Sequence, residues 1–142
     1  MSSVFIDEGA VRDGYENVRN DETPENWVVL KYDGKQIFVY ESGINYEDFY
    51  AQFGDEEAVY GYVRVETGDE MSRRAKFAMI TWVGSNISPL KKARVSTDKA
   101  FVKQVWIQFG KEIIADEKSE LAYDKIADIL ERASGAAYGT GK

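Results

Sequence analysis

Eight cationic side chains, Arg73, Arg74, Lys76, Lys91, Lys92, Arg94, Lys99 and Lys103, fall in one window from Met71 to Lys103 that holds a single acid, Asp98. Eight bases against one acid give the window +7, so the rest of a chain with net charge −7 must carry −14. Charge of one sign gathered on a body of the other suits a surface that steers and holds an acidic partner. The competing reading is a solvated face, which is what most charge runs are. Bond-making chemistry has less to work with. The chain has no histidine and no cysteine, which removes the usual neutral-pH general base, thiol nucleophiles, thiolate zinc sites and disulfides. Asp55-Glu56-Glu57 and Asp116-Glu117 are adjacent acids that could hold a cation or act as an acid–base pair. They lack the alternating Asp/Asn loop with a distal Glu that calcium requires, and read instead as turns or helix starts. Ser96 and Lys99 share the spacing of an S-x-x-K pair, but Ser96 reads better as a helix cap. Thr67-Gly68-Asp69 holds one turn glycine rather than a phosphate-cradling loop. No catalytic residue, cofactor or metal is therefore expected.

The remaining composition bounds the class. A chain of 142 residues with 44% apolar and 30% charged residues fits one globular domain rather than a disordered polymer. The acidic balance argues against a general nucleic-acid or anionic-membrane binder, since phosphate attraction needs the opposite sign. No apolar run approaches the roughly 18 residues of a membrane span. The start, Met1 to Asp7, has no basic n-region and no long apolar core, so no signal peptide is expected and the cytoplasm is the expected compartment.

These residues need elements to position them. Val11, Tyr15 and Val18 lie at helical spacing in a first helix from Asp7 to about Arg19, which Pro24 must follow. Trp27–Tyr32 and Gln36–Tyr40 read as strands joined by a tight hairpin turn in which Asp33-Gly34 supplies the positive φ angles. Asn45 starts a short helix whose face is Tyr46, Phe49, Tyr50 and Phe53. Ala58–Val65 and Lys76–Val83 form a long hairpin with a polar tip at Thr67–Glu70, and the apolar run Phe77–Val83 predicts a strand covered on both faces. Ser96 is read as the cap of a longer helix with Val102, Val105, Trp106 and Phe109 on its buried stripe and Phe101 beside them. Glu112–Ala115 is a short strand, so strand, helix and strand predict a parallel crossover. A last helix starts near Ser119, with Ala122, Ile126, Ile129, Leu130 and Ala133 on one face and Gly135 closing it. The expected fold is a mixed α/β (α+β) single domain over residues 1–134. It has a mixed sheet of about five strands with helices on both faces, and a flexible Gly-rich tail over 135–142. Most of the nine tyrosines, seven phenylalanines and three tryptophans are expected in its core rather than stacking on a ligand.

On this frame Arg73, Arg74 and Lys76 sit at or just after the hairpin tip. Lys99 and Lys103 lie four apart on the crossover helix, with Ile107 four further on in the same stripe. A basic stripe holding an exposed isoleucine fits an acidic protein surface with an apolar pocket.

Several stretches carry a resemblance. Val63 to Gly84, with its run Thr67-Gly68-Asp69-Glu70-Met71-Ser72-Arg73-Arg74-Ala75-Lys76-Phe77, is similar to the coactosins, as are Trp27 to Gly34, Ser96-Thr97-Asp98-Lys99 and Gly135-Ala136-Ala137-Tyr138. The resemblance spans roughly Val11 to Tyr138 and is coactosin-like rather than cofilin-like in detail. It implies an actin-depolymerising-factor homology domain: a non-catalytic, cytoskeletal actin-filament binder without strong severing. A monomer is expected separately, because no long apolar edge demands a dimer. Under it, Lys76 matches the family's filament-binding lysine, and the crossover helix is a second actin-contacting element. Trp106 departs from the family's usual pattern in that helix, and periodicity places it inside. The alternative is a cofilin-like severing or monomeric-actin-binding protein, regulated near Ser2 and Ser3. Phosphoinositide headgroups are a further candidate ligand for the same bases.

Overall fold

Alternation of side chains along two long central strands sorts the core into two layers, one on each side of a single sheet. The computed structural model describes residues 4–69 and 71–140, with side chains through Ala133. The expected features at Ser2, Ser3, Glu70, Gly141 and Lys142 lie outside the described residues. In chain order the elements are β1 (Phe5–Ile6), α1 (Glu8–Arg19), β2 (Trp27–Asp33), β3 (Gln36–Gly43), α2 (Tyr46–Tyr50), β4 (Ala58–Thr67), β5 (Arg74–Val83), α3 (Pro89–Lys103), β6 (Lys111–Ala115) and α4 (Tyr123–Thr140), with a 3-10 turn at Lys118–Leu121 before the last helix. The six strands run in the order β1-β3-β2-β4-β5-β6. β1 pairs with β3 and β6 with β5 in parallel, and the remaining pairs are antiparallel.

One face of the sheet presents Val28, Leu30, Tyr60, Tyr62 and Met79 to α1 and α3, which contribute Val11, Val18, Val95 and Val102. The other presents Val29, Val59, Val63, Ile80 and Trp82 to α2 and α4, which contribute Phe49, Ile126 and Leu130. Both faces of β4 and β5 are thus covered, as the apolar run in β5 predicts. Gly61 on β4 is required by a close approach: a Cβ there would stand 2.9 Å from the Phe49 ring. Trp27, Trp82 and Trp106 are all fully buried.

Five local expectations are corrected. The sheet has six strands, not about five: β1 has two residues, too few to show a period, and joins β3 through bonds such as Phe5 N–H to Lys35 O at 2.9 Å while Ile6 packs on the core. α3 begins at Pro89 rather than Ser96: Ser88 Oγ accepts from Lys91 N at 3.2 Å and proline fills the first turn, where its missing N–H costs nothing. α3 also ends at Lys103, so Val105, Trp106 and Phe109 follow the helix instead of extending its stripe. α4 begins at Tyr123 rather than near Ser119, and its backbone stays helical past Gly135 to Thr140. In the β2–β3 turn only Gly34 takes a positive φ, +61°, and Asp33 does not.

Trp106 tests this packing. Its indole N–H donates to Val11 O at 3.3 Å and its ring lies 5.4 Å from that of Tyr62. Trp106→Ala is expected to cost about 3–5 kcal/mol, the range for truncating a buried aromatic, read from the urea midpoint by far-UV circular dichroism.

Candidate functional site

β5 outruns its neighbour. Its ladder with β4 reaches Thr67↔Arg74, whereas its ladder with β6 begins only at Ala78↔Lys111. Residues 74–77 therefore lack a strand partner on that side. The irregular segment after α3 fills part of the notch, anchored by Gly110 N–H to Phe77 O at 2.7 Å. What remains open is a groove of about 750 Å³ walled by Arg74 and Lys76 of β5, Ile107 and Phe109 after α3, and Leu130 and Ala133 of α4.

Strand alternation decides which side chains enter it. Lys76 stands opposite Val65, whose side chain belongs to the layer under α4. Phe77 points the other way and stacks on Tyr62 at 5.7 Å between ring centres, 11° from parallel. Arg74 is exposed, Lys76 is half-buried, and neither forms an ion pair among the described residues. Ile107 is 68% exposed. The groove thus joins two free cations to an apolar wall, which can hold an acidic surface bearing an apolar projection.

The hairpin tip beyond the groove is built by Asp69, whose Oδ1 accepts from the amides of Met71 and Ser72, both at 3.0 Å. Gly68 has φ +98°, and a Cβ there would collide with Ser72 O. Met71 is 93% exposed at this tip, and Arg73 pairs with Glu66 at 3.4 Å.

The other predicted bases do not continue the ridge. Lys99 and Lys103 converge on one carboxylate, Glu112, at 2.7 and 2.8 Å. Because α3 ends at Lys103, Ile107 does not share their stripe: the isoleucine belongs to the groove and the two lysines to an internal ion triad. Lys91 lies 4.5 Å over the Tyr32 ring, in a recess that also holds Lys31, Glu56 and Glu57. Lys92 shares another recess with Asp116 and Glu120. Arg94 is half-buried, with Nε and Nη2 finding no hydrogen-bond partner among the described residues. Asp98, the lone acid of the window, lies on the buried face of α3 and accepts from the Tyr32 hydroxyl at 2.8 Å. Of the nine predicted residues, the groove brings together Arg74, Lys76 and Ile107, while Arg73, one residue earlier, pairs with Glu66 and lines a separate recess with Arg64 and Tyr123.

Leu90, 76% exposed, escaped the sequence, and Phe101, expected beside the buried stripe, is instead 42% exposed; they are eleven positions apart, three turns along one side of α3. With exposed Ala93 and Thr97 between them they form an outward, weakly polar face. The 90, 93, 97, 101 spacing was visible, but only to a reading that starts the helix at Ser88. Of the paired acids, Glu57 is bound to Lys31 at 3.5 Å.

A mixed sheet between two helical layers, with a cationic groove beside a long hairpin and an exposed helix after it, defines the class. Residues 3–131 match the family of cofilin/tropomyosin-type actin-binding proteins, and the chain belongs to that family. Within it, the chain falls among the coactosins. It is 44% identical over 133 residues to the coactosin-like proteins of Bos taurus and Homo sapiens, covering 94% of this chain and of each relative. The crystal structure of human coactosin-like protein superposes with a TM-score of 0.88 at 42% identity, covering 92% of this chain and 99% of that one. The solution structure of mouse coactosin, an actin filament binding protein, superposes with a TM-score of 0.80 at 39% identity over 99% of both chains.

Glu112 gives the site a pH signature. Burial alone raises its carboxyl pKa, but hydrogen bonds from Lys103 and Lys99 and the charges of both outweigh it, and the net pKa lies below the ordinary value. A carboxyl with a depressed folded pKa adds stability above its unfolded pKa and loses it as pH falls through the folded one. Glu112→Gln is therefore expected to lower the melting temperature at neutral pH, with the gap to wild type closing as the solution is acidified through the carboxylate range.

Proposed function

We propose that this protein binds along actin filaments without catalysing a reaction, and that Arg74, Lys76 and Ile107 form part of the contact. The observation that carries this reading is the groove at the free edge of β5, where two cations without an ion-pair partner among the described residues flank an exposed isoleucine. Mouse coactosin, described above, is an actin filament binding protein, and the resemblance to coactosins implies that Lys76 matches their filament-binding lysine. Arg73 and Met71 at the tip extend the same contact, and the outward face of α3 supplies a second one. Two separate contacts favour a filament, whose neighbouring subunits present both surfaces at once. Lys91, Lys92 and Arg94 add to the field around α3, whereas Lys99 and Lys103 act mainly through Glu112. The working place of such a protein is the cytoplasmic cytoskeleton, as a monomer.

The exposed Leu90 and Phe101 favour a second reading, in which α3 also engages monomeric actin in the manner of cofilin relatives. Pyrene-actin disassembly separates the two: faster disassembly or filament shortening supports the second. Arg74 and Lys76 are also the cations that phosphoinositide headgroups would meet, and flotation with anionic vesicles reads that directly.

High-speed cosedimentation with filamentous actin is the main test. Wild type is expected to pellet, less so as salt rises, because exposed ion pairs are screened. Lys76→Ala removes one partly exposed pair, worth about 0.2–1 kcal/mol, and should weaken binding about 1.4- to 5-fold. An unchanged mutant removes Lys76 from the interface. A wild type that stays in the supernatant overturns the filament reading.

A further inference from the structure

We propose that Arg19, the last residue of α1, is the positioning residue of the groove, fixing its apolar wall against its cationic one. The inference rests on the filament-binding reading above. The apolar wall is a segment without regular structure between α3 and β6, so no ladder of its own sets its shape. Side chains set it instead, and they meet at Gln108. Arg19 Nη2 donates to Gln108 Oε1 at 3.0 Å, and Arg19 Nη1 reaches the Gln108 carbonyl at 3.4 Å and the Tyr62 hydroxyl at 3.0 Å. Tyr62 donates to the same carbonyl at 2.6 Å, and the Gln108 amide donates to the Tyr15 hydroxyl at 3.1 Å. Exposed Gln108, between Ile107 and Phe109, therefore has its amide, carbonyl and side-chain oxygen all engaged.

The other wall is reached by the same guanidinium, whose centre lies 4.7 Å from the Phe77 ring. Phe77 is the chain neighbour of Lys76, and its carbonyl holds Gly110. One planar cation thus touches both sides of the groove. Its nitrogens bind neutral oxygens, and it has no carboxylate partner among the described residues. A flat fork that stacks on one wall and donates to the other is work a lysine cannot take over, although lysine keeps the charge.

This separates positioning from simple charge attraction. Arg19→Lys is expected to keep the melting temperature close to wild type yet weaken cosedimentation with filaments at least about three-fold, the scale of coupling between contacting groups. Gln108→Ala, which releases the grip from the other side at an exposed position, should weaken binding in the same direction. In an Ile107→Ala background the Arg19→Lys change should cost much less than it does in wild type. If Arg19→Lys binds filaments like wild type, or if its loss and that of Ile107→Ala simply multiply, the positioning role is overturned while the filament reading stands. If wild type itself does not pellet, both fall together.

Discussion

A ten-residue strand lies beside a five-residue one, and the open edge left over is the constraint on which the groove depends. Sheet edges with unpaired backbone groups must be covered, paired or charged. Here all three devices appear within a few residues. Gly110 closes one backbone bond, the segment after α3 covers part of the edge, and Arg74 and Lys76 charge the rest. Charge on such an edge opposes the approach of a second strand. The same two cations line the notch that the short β6 leaves open.

The ion chemistry divides by whether a carboxylate is within reach. Lys99, Lys103 and Lys31 each find one, so their charge is spent inside the domain, holding α3 to β6 and β2 to the loop before β4. Arg64, on β4 and mostly covered, likewise binds Asp21 and donates to Val18 O at 3.0 Å. Arg74 and Lys76 find none among the described residues and keep their full field at the surface. The window's excess of +7 is thus a poor guide to the field a partner meets, because a cation counts outwardly only to the extent that the fold leaves it unpaired.

Much of the fold was legible because long strands and amphipathic helices announce themselves by period. β4, β5, α1 and the parallel β5–α3–β6 arrangement all follow from residues spaced by two or by three and four. The interior place of Trp106 was legible too, although the helix expected to carry it ends three residues earlier: an indole among Val102, Val105 and Phe109 is buried whether or not the helix continues. What the sequence hid was local. The Ser88-Pro89 start competes with an equally plausible Ser96, and choosing Ser96 removes two turns of α3 together with Leu90. The groove was hidden for another reason. Ile107 and Lys76 are neighbours only because β6 is short and Gln108 is tied to α1, facts of tertiary register that no single segment encodes. Arg19, read from the sequence merely as a helix end, gains its role from oxygens 43 and 89 residues away.

All three indoles lie inside the two packed layers: Trp27 beside the Phe49 ring, Trp82 on β5 with its N–H donating to Gly54 O, and Trp106 under α1. The molecule's own light emission is therefore tied to the integrity of those layers. Of the three, Trp106 stands next to the groove, as the chain neighbour of Ile107 and with its ring 5.4 Å from that of Tyr62. An optical change on mixing with a partner would thus report a shift of the apolar wall, whereas silent association would mean that the domain docks as a rigid body.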